Sequence, residues 1–414
     1  MKISKKQLKV LIGAMLIQAI PYGLAQNVPP LFIGPIKNTF HFDLAGVNLI
    51  FTLGAIAAAI SSPIAGKFFG KLPTRRIMFF SLSFAGIGMI IQMLAFTLPM
   101  FYIANAIIQI GCIIFSGLAV PYLIGSWFEK KIRPTAIGIA FAGGSIGNFF
   151  LQPFFSNLLT THASENGLHY VFFVAAAMTI VSGWLITLFL IEDNNQKIDD
   201  NSDDQVVKLS GLGFQHTKSL APFWLMGIGM LLVGLNIAAQ SSQYAVYFGT
   251  DQINLKSIIG IVGSIFAIAC LAGNVVGGVF YSKLGIYKAV FIGFILQLGS
   301  ALCMYFLGIV QTPILAYLWA LLYGLSVFIY TSGPSVIIQQ LFGMRDFGQT
   351  VGFFNIFFAV GFALGTFIFG LIVDKFGFSI GWLSVVLYAL IGFIIMLVNI
   401  KIVDKEKYDE RFID

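Results

Sequence analysis

Three rows of uncharged polar and aromatic residues recur at helical spacing within apolar stretches of the sequence. The rows are Gln18, Tyr22 and Gln26; Asn236, Gln240 and Tyr244; and Trp319 and Tyr323. Residues four positions apart lie on one face of an α-helix, so each row is predicted to line one side of its helix. Amides and phenol hydroxyls exchange hydrogen bonds, and aromatic rings stack. These rows indicate reversible binding of a small-molecule substrate.

The helices that carry these rows are predicted to cross a lipid bilayer. Of the 414 residues, 58% are apolar, only 10% are charged, and 43 are phenylalanine. A soluble fold could not cover that much apolar surface, and uncharged stretches of about 20 residues are typical of membrane spans. The N-terminus has the pattern of a signal peptide. It is interpreted as the first span because its apolar run continues to Pro35.

We predict an all-α membrane protein with twelve transmembrane helices in two pseudo-symmetric six-helix halves. The spans are predicted at 8–35, 45–66, 77–97, 100–127, 134–158, 168–191, 220–249, 257–281, 287–308, 312–341, 348–373 and 379–400. With the N-terminus inside, 21 of the 24 Lys and Arg residues lie in cytoplasmic segments. This bias predicts cytoplasmic termini in a cell (inner) membrane. It also explains the net charge of +7, so nucleic acid is not expected as a partner.

The chain is predicted to repeat internally. The predicted halves are 1–192 and 220–402, joined by a polar, flexible linker, 193–219, and followed by a tail, 403–414. SSPIAGKFFGKL (61–72) resembles GNVVGGVFYSKL (273–284), and TAIGIAFAGGSIG (135–147) resembles QTVGFFNIFFAVG (349–361). The two pairs are separated by nearly the same offset along the chain. Parallel six-span repeats imply a pseudo-two-fold axis along the membrane normal and a solute path where the halves meet.

The segment 126–148 places four charges before a helix rich in glycine and alanine. Helices in lipid associate closely where small residues let their backbones approach. Gly143 and Gly147 are therefore predicted to form a close-packed face on a helix that slides or rocks. The charges are predicted to hold one end of that helix in the cytoplasm.

The polar rows also have a structural interpretation, because polar residues in membrane spans commonly bond neighbouring helices. For a lone amide that interpretation is slightly favoured, although Asn148 and Asn355, predicted near mid-depth, are kept as binding candidates. Binding is favoured for the rows themselves. Gln26 and Gln240 are separated by the same offset as the second pair of repeated segments, and amides facing lipid would be costly.

The loop GKFFGKLPTRR (66–76) resembles the loop signature of the major facilitator superfamily. Gly66, Arg75 and Arg76 match that signature, whereas Gly70 stands at its acidic position. The second-half copy, GVFYSKLGIYK (278–288), has the matching residues Gly278 and Lys283. The resemblance implies that these matching residues, with Gly143 and Gly147, control conformational change.

The segment WFEKKIRPTAIGIAFAGGSIG (127–147) is similar to the junction of spans four and five in the oxalate:formate antiporter and monocarboxylate transporter branches. That resemblance implies a cavity lined by tyrosines and tryptophans on spans one and ten, where Tyr22, Trp319 and Tyr323 stand. Asn105 or Gln109 occupies the region where many superfamily members carry an arginine.

Charge is missing from the predicted spans. All 17 acidic residues and all four histidines lie in loops or at span ends, and no Lys or Arg lies in 257–282 or 347–374. The three cysteines lie in apolar runs, so neither a disulfide nor a metal site is predicted. No catalytic constellation is present, and neither an enzyme nor a cofactor is expected.

We therefore expect a monomeric secondary active or exchange transporter that works by alternating access. The branch resemblance implies a monocarboxylate-type organic anion as substrate. The alternative is an exporter of neutral or amphipathic compounds, which the absence of charge and the aromatic content favour.

Overall fold

The computed structural model describes residues 4–162, 164–194 and 211–405. Their regular structure is helical, apart from two isolated bridges. The α-helices are α1 (Lys5–Ile17), α2 (Ile33–Phe40), α3 (Leu44–Gly66), α4 (Thr74–Met93), α5 (Leu98–Cys112), α6 (Ala119–Trp127), α7 (Arg133–Thr161), α8 (Glu165–Phe189), α9 (Phe214–Thr217), α10 (Ala221–Phe248), α11 (Ile259–Val310), α12 (Pro313–Leu325), α13 (Gly333–Leu341) and α14 (Phe347–Lys405).

Ten helical stretches of the described residues are long and apolar enough to cross a membrane. Two of them, in α11 and α14, have 52 and 57 residues, more than twice the roughly 20 residues that one span requires. Each contains one residue with non-helical dihedrals, Gly285 (φ 79°) in α11 and Gly377 (φ 82°) in α14. Positive φ is readily adopted only by glycine, so the chain turns at these two positions.

Three of the predicted spans contain a short segment that is π-helical or 3₁₀-helical instead of α-helical. The first continues from α1 as a π-helical segment, Gln18–Asn27, which contains Pro21. The span that begins with α5 passes through a second π-helical segment, Ile113–Leu118, and α12 passes into a 3₁₀ segment, Ser326–Ile329. The last two of these segments are separated along the chain by about the offset of the repeated sequences.

The chain divides into two compact units. The first unit comprises Met1–Ser210 and Met344–Phe353, and the second comprises Gly211–Gly343 and Phe354–Asp414. The start of α14 belongs to the first unit, where it packs against α3. A Cβ at Gly352 would lie 2.6 Å from the backbone of Ser62 and Pro63, so only glycine allows this approach.

Both ends of the predicted linker, 193–219, form backbone or side-chain hydrogen bonds within their own units. At its start, Asn194 donates a hydrogen bond to the Ser126 carbonyl oxygen over 2.7 Å. At its end, the Leu212 amide donates to the Phe342 carbonyl oxygen over 2.9 Å, and α9 follows. The polar middle of the linker, 195–210, lies outside the described residues.

In each unit, a glycine of one helix packs directly against a backbone carbonyl group of another helix. In the first unit, a Cβ on Gly147 of α7 would overlap the carbonyl oxygen of Ala19 in the first span. In the second unit, a Cβ on Gly361 of α14 would overlap the carbonyl oxygen of Leu231 in α10. The two glycines are related by the offset of the repeat, and so, very nearly, are the two carbonyl groups. A contact of the same kind therefore occurs once in each unit.

Candidate solute-binding residues

Gln18 and Gln26 of the row on the first span both bond with the span that begins with α5, but they differ in burial. Gln18 is fully buried and accepts a hydrogen bond from Ser116 Oγ over 2.9 Å, whereas Gln26 is exposed and accepts one from Gln109. Tyr22, between them, is partly buried, and the stretch Gln18–Asn27 is π-helical. Gln18 therefore packs within the unit, and Gln26 is the accessible member.

Gln26 belongs to a group of amides from three helices, here called the amide cluster. Its members are Gln26, Asn27, Gln109, Asn148 and Gln152. Gln109 Nε2 donates to Gln26 Oε1 over 2.9 Å and to the Ala25 carbonyl oxygen over 3.0 Å. Gln152 Nε2 donates to the Asn27 carbonyl oxygen over 3.1 Å. Asn148 Oδ1 is buried without a hydrogen-bond partner among the described residues.

The amide cluster was only partly predictable. Asn148 and Gln26 were candidates, and Gln109 was noted for its position on span four. Asn27 is a member that sequence analysis missed, because it lies outside the four-residue spacing of the row. Its Nδ2 donates to the Gly144 carbonyl oxygen over 3.2 Å.

The row on α10 lies in the packed interior of the second unit. Asn236 and Gln240 are both fully buried. Gln240 Oε1 accepts from Ser300 Oγ and from Trp319 Nε1, each over 2.8 Å, and Gln240 Nε2 donates to Asn236 Oδ1 over 2.8 Å. Asn236 Nδ2 in turn donates to the Val385 carbonyl oxygen over 3.1 Å. A solute could reach these amides only by breaking bonds that join four helix segments, so the packing interpretation is the better one here.

Aromatic rings from three helices stack into one column, here called the aromatic column. Its members are Phe266, Trp319, Tyr323, Tyr330 and Phe358. The centroids of Trp319 and Tyr323 are 5.6 Å apart at 16°, those of Tyr323 and Phe266 are 5.1 Å apart at 14°, and those of Tyr330 and Phe358 are 6.4 Å apart at 7°. Tyr323 and Tyr330 connect the two parts, with centroids 6.5 Å apart.

The aromatic column is buried at its middle and accessible at its margins. Trp319 and Tyr323 are 2% and 1% exposed, whereas Phe266, Tyr330 and Phe358 are partly exposed. Tyr244 adjoins Trp319, with ring centroids 5.0 Å apart. The structure thus brings Tyr244 together with Trp319 and Tyr323, the two residues of α12 that were expected in an aromatic wall, whereas Tyr22, the third residue expected there, belongs to the first unit. Phe266 and Phe358 were missed because they come from other helices and share no sequence spacing with α12.

Asn355 lies one turn before Phe358 on α14 and is partly buried. The structure therefore places this candidate on the same helix as Phe358 of the aromatic column. Asn355 and Asn148, which correspond only loosely in the repeat, lie in different units.

The predicted gating residues lie at the ends and joints of helices. Gly66 ends α3, where a Cβ would overlap the carbonyl oxygen of Gly348. Arg75 Nη2 donates to the Leu188 carbonyl oxygen over 2.6 Å, and Arg76 is exposed. In α11, Gly278 is buried and Lys283 is exposed.

Gly143 and Gly147 pack against the first span inside the first unit. Their Cβ atoms would overlap the carbonyl oxygens of Met15 and Ala19. In this structure the predicted sliding face of α7 is therefore in close contact with the first span, within one unit.

The described residues contain no group of three or more His, Cys, Asp or Glu side chains that could hold a metal ion. Cys112, Cys270 and Cys303 are buried and unpaired. The arrangement offers hydrogen-bonding amides and stacking rings, which suits reversible binding of an organic solute.

Comparison with known proteins finds a similar sequence and similar solved structures. In Bacillus subtilis (strain 168), "Multidrug resistance protein 1" is 27% identical over 281 residues, which are 66% of this chain and 64% of that protein. The chain thus matches slightly less than two thirds of that relative's length.

Three solved transporter structures share the fold. A bacterial homologue of the iron transporter ferroportin, in an outward-facing state, has a TM-score of 0.75 at 14% identity, covering 96% of this chain and 99% of that one. The E. coli fucose:proton symporter has a TM-score of 0.70 at 16% identity, covering 94% and 99%. The human organic anion transporter MFSD10 has a TM-score of 0.63 at 14% identity, covering 94% and 96%.

The family model described as Major Facilitator Superfamily matches residues 14–366. The finer resemblance to the oxalate:formate and monocarboxylate branches is not confirmed by these likenesses. Because the family match covers most of the chain, the protein belongs to the major facilitator superfamily and is a multi-pass membrane transporter.

Proposed function

We propose that the protein is a secondary active transporter that exports a neutral or weakly charged amphipathic compound containing an aromatic ring. The observation that carries the proposal is the aromatic column, whose partly exposed members offer flat apolar faces. A stacked aromatic pair contributes about 0.5–1.5 kcal/mol beyond the burial of its area. Two or three such contacts would give useful affinity without any charged group.

The absence of charge around these residues supports the same conclusion. The amide cluster and the aromatic column contain no ionisable acid or base at neutral pH. Burying an ion without a partner of opposite charge is costly. Amides and phenol hydroxyls can satisfy a polar end of the solute, and the rings can take its apolar end. The similarity to the Bacillus subtilis protein named for multidrug resistance supports export.

A monocarboxylate is the second candidate substrate, and the amide cluster favours it. Gln26 is exposed, and its Nε2 has no hydrogen-bond partner among the described residues. An amide N–H of this kind can donate to a carboxylate oxygen. The resemblance of the segment 127–147 to the monocarboxylate transporter branch also fits this candidate.

The proposal includes twelve spans, with α11 and α14 each divided at their glycine turns. It places both termini in the cytoplasm of the cell membrane, because basic residues are concentrated in one set of alternate loops. In this proposal the protein functions as a monomer, by alternating access between its two halves.

Transport by proteoliposomes that contain the full chain would test the proposal. The panel would include neutral aromatic amphiphiles, aliphatic amphiphiles and monocarboxylates. Phe358→Leu removes one accessible ring of the aromatic column. It should weaken the apparent affinity for aromatic substrates by about two- to tenfold, which corresponds to the free energy of one stacking contact. The matched control is Phe367→Leu on the same helix, where the side chain is 64% exposed and no effect is expected.

Three results would decide between the candidates. Aromatic transport that is weakened by Phe358→Leu alone supports the proposal. Exchange confined to monocarboxylates, and abolished by Gln26→Leu, would establish the second candidate instead. Equal effects of Phe358→Leu and Phe367→Leu would refute a role for the aromatic column.

A further inference from the structure

The side-chain oxygen of Asn148 differs from the other polar atoms of the amide cluster. Within the cluster, and among the described residues, it is the one side-chain oxygen or nitrogen that is buried without a hydrogen-bond partner. Buried polar atoms are nearly always paired, and leaving one unpaired costs free energy. The hydrocarbon of a bilayer offers no water to such an atom. The unpaired oxygen therefore indicates a partner that is not part of the protein.

Helix α7 holds Asn148 against the first span. Gly144 and Gln152 lie one turn before and one or more turns after it on the same face of α7, and Asn27 of the first span contacts both. Asn27 Nδ2 donates to the Gly144 carbonyl oxygen over 3.2 Å, and the Asn27 carbonyl oxygen accepts from Gln152 Nε2 over 3.1 Å. Asn148 thus lies between these two hydrogen bonds, beside the first span.

The amide group of Asn148 can turn without breaking a hydrogen bond of its oxygen. The residue is partly exposed, although Oδ1 itself is covered. Gln240 in the second unit is different, because its Oε1 accepts from both Ser300 and Trp319. Turning Gln240 toward a solute would cost both bonds, whereas turning Asn148 costs none at Oδ1. Asn148 is therefore the better placed of the two to bind a solute.

An unpaired acceptor selects solutes that carry a hydrogen-bond donor. N–H and O–H groups donate, whereas an ionised carboxylate only accepts. A carboxylate could bond with the unpaired Nε2 of Gln26, but it would leave Asn148 Oδ1 without a partner and would lose its own hydration. A neutral amide, alcohol or protonated acid can both accept from Gln26 and donate to Asn148.

We propose that Asn148 is a specificity-determining residue whose Oδ1 accepts a hydrogen bond from an N–H or O–H group of the transported solute. The amide cluster therefore binds neutral solutes with such a donor and rejects ionised monocarboxylates. The inference rests on the proposed function, since it names the polar group of the same solute, and it decides between the two candidate substrates.

Pairs of probes that differ in a hydrogen-bond donor would test the proposal. The pairs are indole with 1-methylindole, 2-naphthol with 2-methoxynaphthalene, and benzamide with N,N-dimethylbenzamide. Benzoate at neutral pH serves as the probe that only accepts. Dissociation constants would be measured on the purified full chain in detergent, from the rise of the melting temperature with probe concentration.

The measured quantity is the dissociation constant of the blocked probe divided by that of its donor-bearing partner. Comparing this ratio between the parent and Asn148→Leu cancels the difference in hydrophobicity between the two probes. The ratio should be about two- to twelvefold higher in the parent, which is the range for one hydrogen bond. Benzoate should bind to the parent more weakly than benzamide.

Asn157 provides the matched control. It is an exposed asparagine on the same helix, so Asn157→Leu makes the same chemical change outside the amide cluster. The ratio in Asn157→Leu should equal that of the parent.

Unfolding by sodium dodecyl sulfate gives a second readout that needs no probe. Asn148→Leu removes an unpaired acceptor and should unfold at the same detergent fraction as the parent or at a higher one. Gln152→Leu removes the donor to the Asn27 carbonyl oxygen and should unfold at a lower one. A clear loss of stability in Asn148→Leu would show that the oxygen has a structural partner, and it would overturn the proposal.

The binding results separate this proposal from the proposed function. Equal ratios in the parent and Asn148→Leu, or failure of all three donor-bearing probes to bind, would overturn the role of Asn148. Binding that depends on Asn148, without transport of any probe, would refute the proposed function and leave that role supported. Transport that is weakened by Phe358→Leu, but treats both members of each pair alike, would support the proposed function and refute the role of Asn148.

Discussion

A substitution at Gly365 would test the close packing of α14 on α10. A Cβ at this position would lie 2.7 Å from the Leu235 carbonyl oxygen and 2.8 Å from both Leu235 Cα and Ala238 Cβ. None of these atoms belongs to a flexible side chain, so the two helices would have to separate by about 0.7 Å to reach ordinary contact distance. Forcing one carbon into a packed interface typically costs about 1–3 kcal/mol.

The control lies further along the same helix. A Cβ at Gly370 would meet nothing within 4 Å. Both Gly→Ala changes gain the same helix propensity, about 0.5–1 kcal/mol, which cancels when the variants are compared. Gly365→Ala should therefore be about 1–3 kcal/mol less stable than Gly370→Ala.

Unfolding by titration of mixed detergent micelles with sodium dodecyl sulfate would measure this difference. Gly370→Ala should unfold at the same detergent fraction as the parent or at a higher one, and Gly365→Ala at a lower one. Equal stability of the two variants would show that the α10–α14 joint is not close-packed as described.

Three further predictions concern the hydrogen bonds, the charges and the turns. Trp319→Phe keeps an aromatic ring but removes the indole N–H that donates to Gln240, and it should destabilise the second unit by about 0.6–1.7 kcal/mol in the same unfolding assay. Hydrogen bonding to Lys9 lowers the pKa of Glu192 in the folded protein. Its small contribution is therefore present above the ordinary glutamate pKa of about 4.3 and is lost as the pH falls through the lowered folded value. The difference between the melting curves of Glu192→Gln and parent should therefore be largest near pH 7 and should shrink as the solution is acidified. Gly285→Ala places a side chain at φ 79° and ψ 167°, a region that is essentially restricted to glycine, and should cost about 1–3 kcal/mol of unfolding free energy. Gly263→Ala in the same helix, at a site with nothing within 4 Å, should not.

The two units contain equivalent close contacts at glycine, but their glutamine side chains differ in exposure. Gly147 and Gly361 make equivalent contacts with the first span and with α10. Gln26 and Gln240 are also related by the repeat offset, yet Gln26 is exposed and Gln240 is completely buried. Backbone packing is thus preserved between the halves, while the accessible amides lie in one unit and the stacked rings in the other.

The sequence by itself determined the features that depend on local composition. Long apolar runs require helices that satisfy their own backbone hydrogen bonds in lipid, and the ten apolar stretches lie where spans were predicted. Gly285 and Gly377 lie in the predicted gaps between spans, because a tight turn needs a residue that tolerates positive φ. The repeated glycines likewise predicted close helix contacts, since helices in lipid pack through small residues.

Only the tertiary structure decided which side chains are available to a solute. The four-residue spacing predicted one polar stripe on the first span but not its accessibility, since Gln18 is fully buried and Gln26 is exposed. Gln240 has its partners on other helices, and Phe358 joins the aromatic column from α14. Such contacts link residues far apart in the chain, so helical periodicity, which describes neighbours within one helix, carries no information about them.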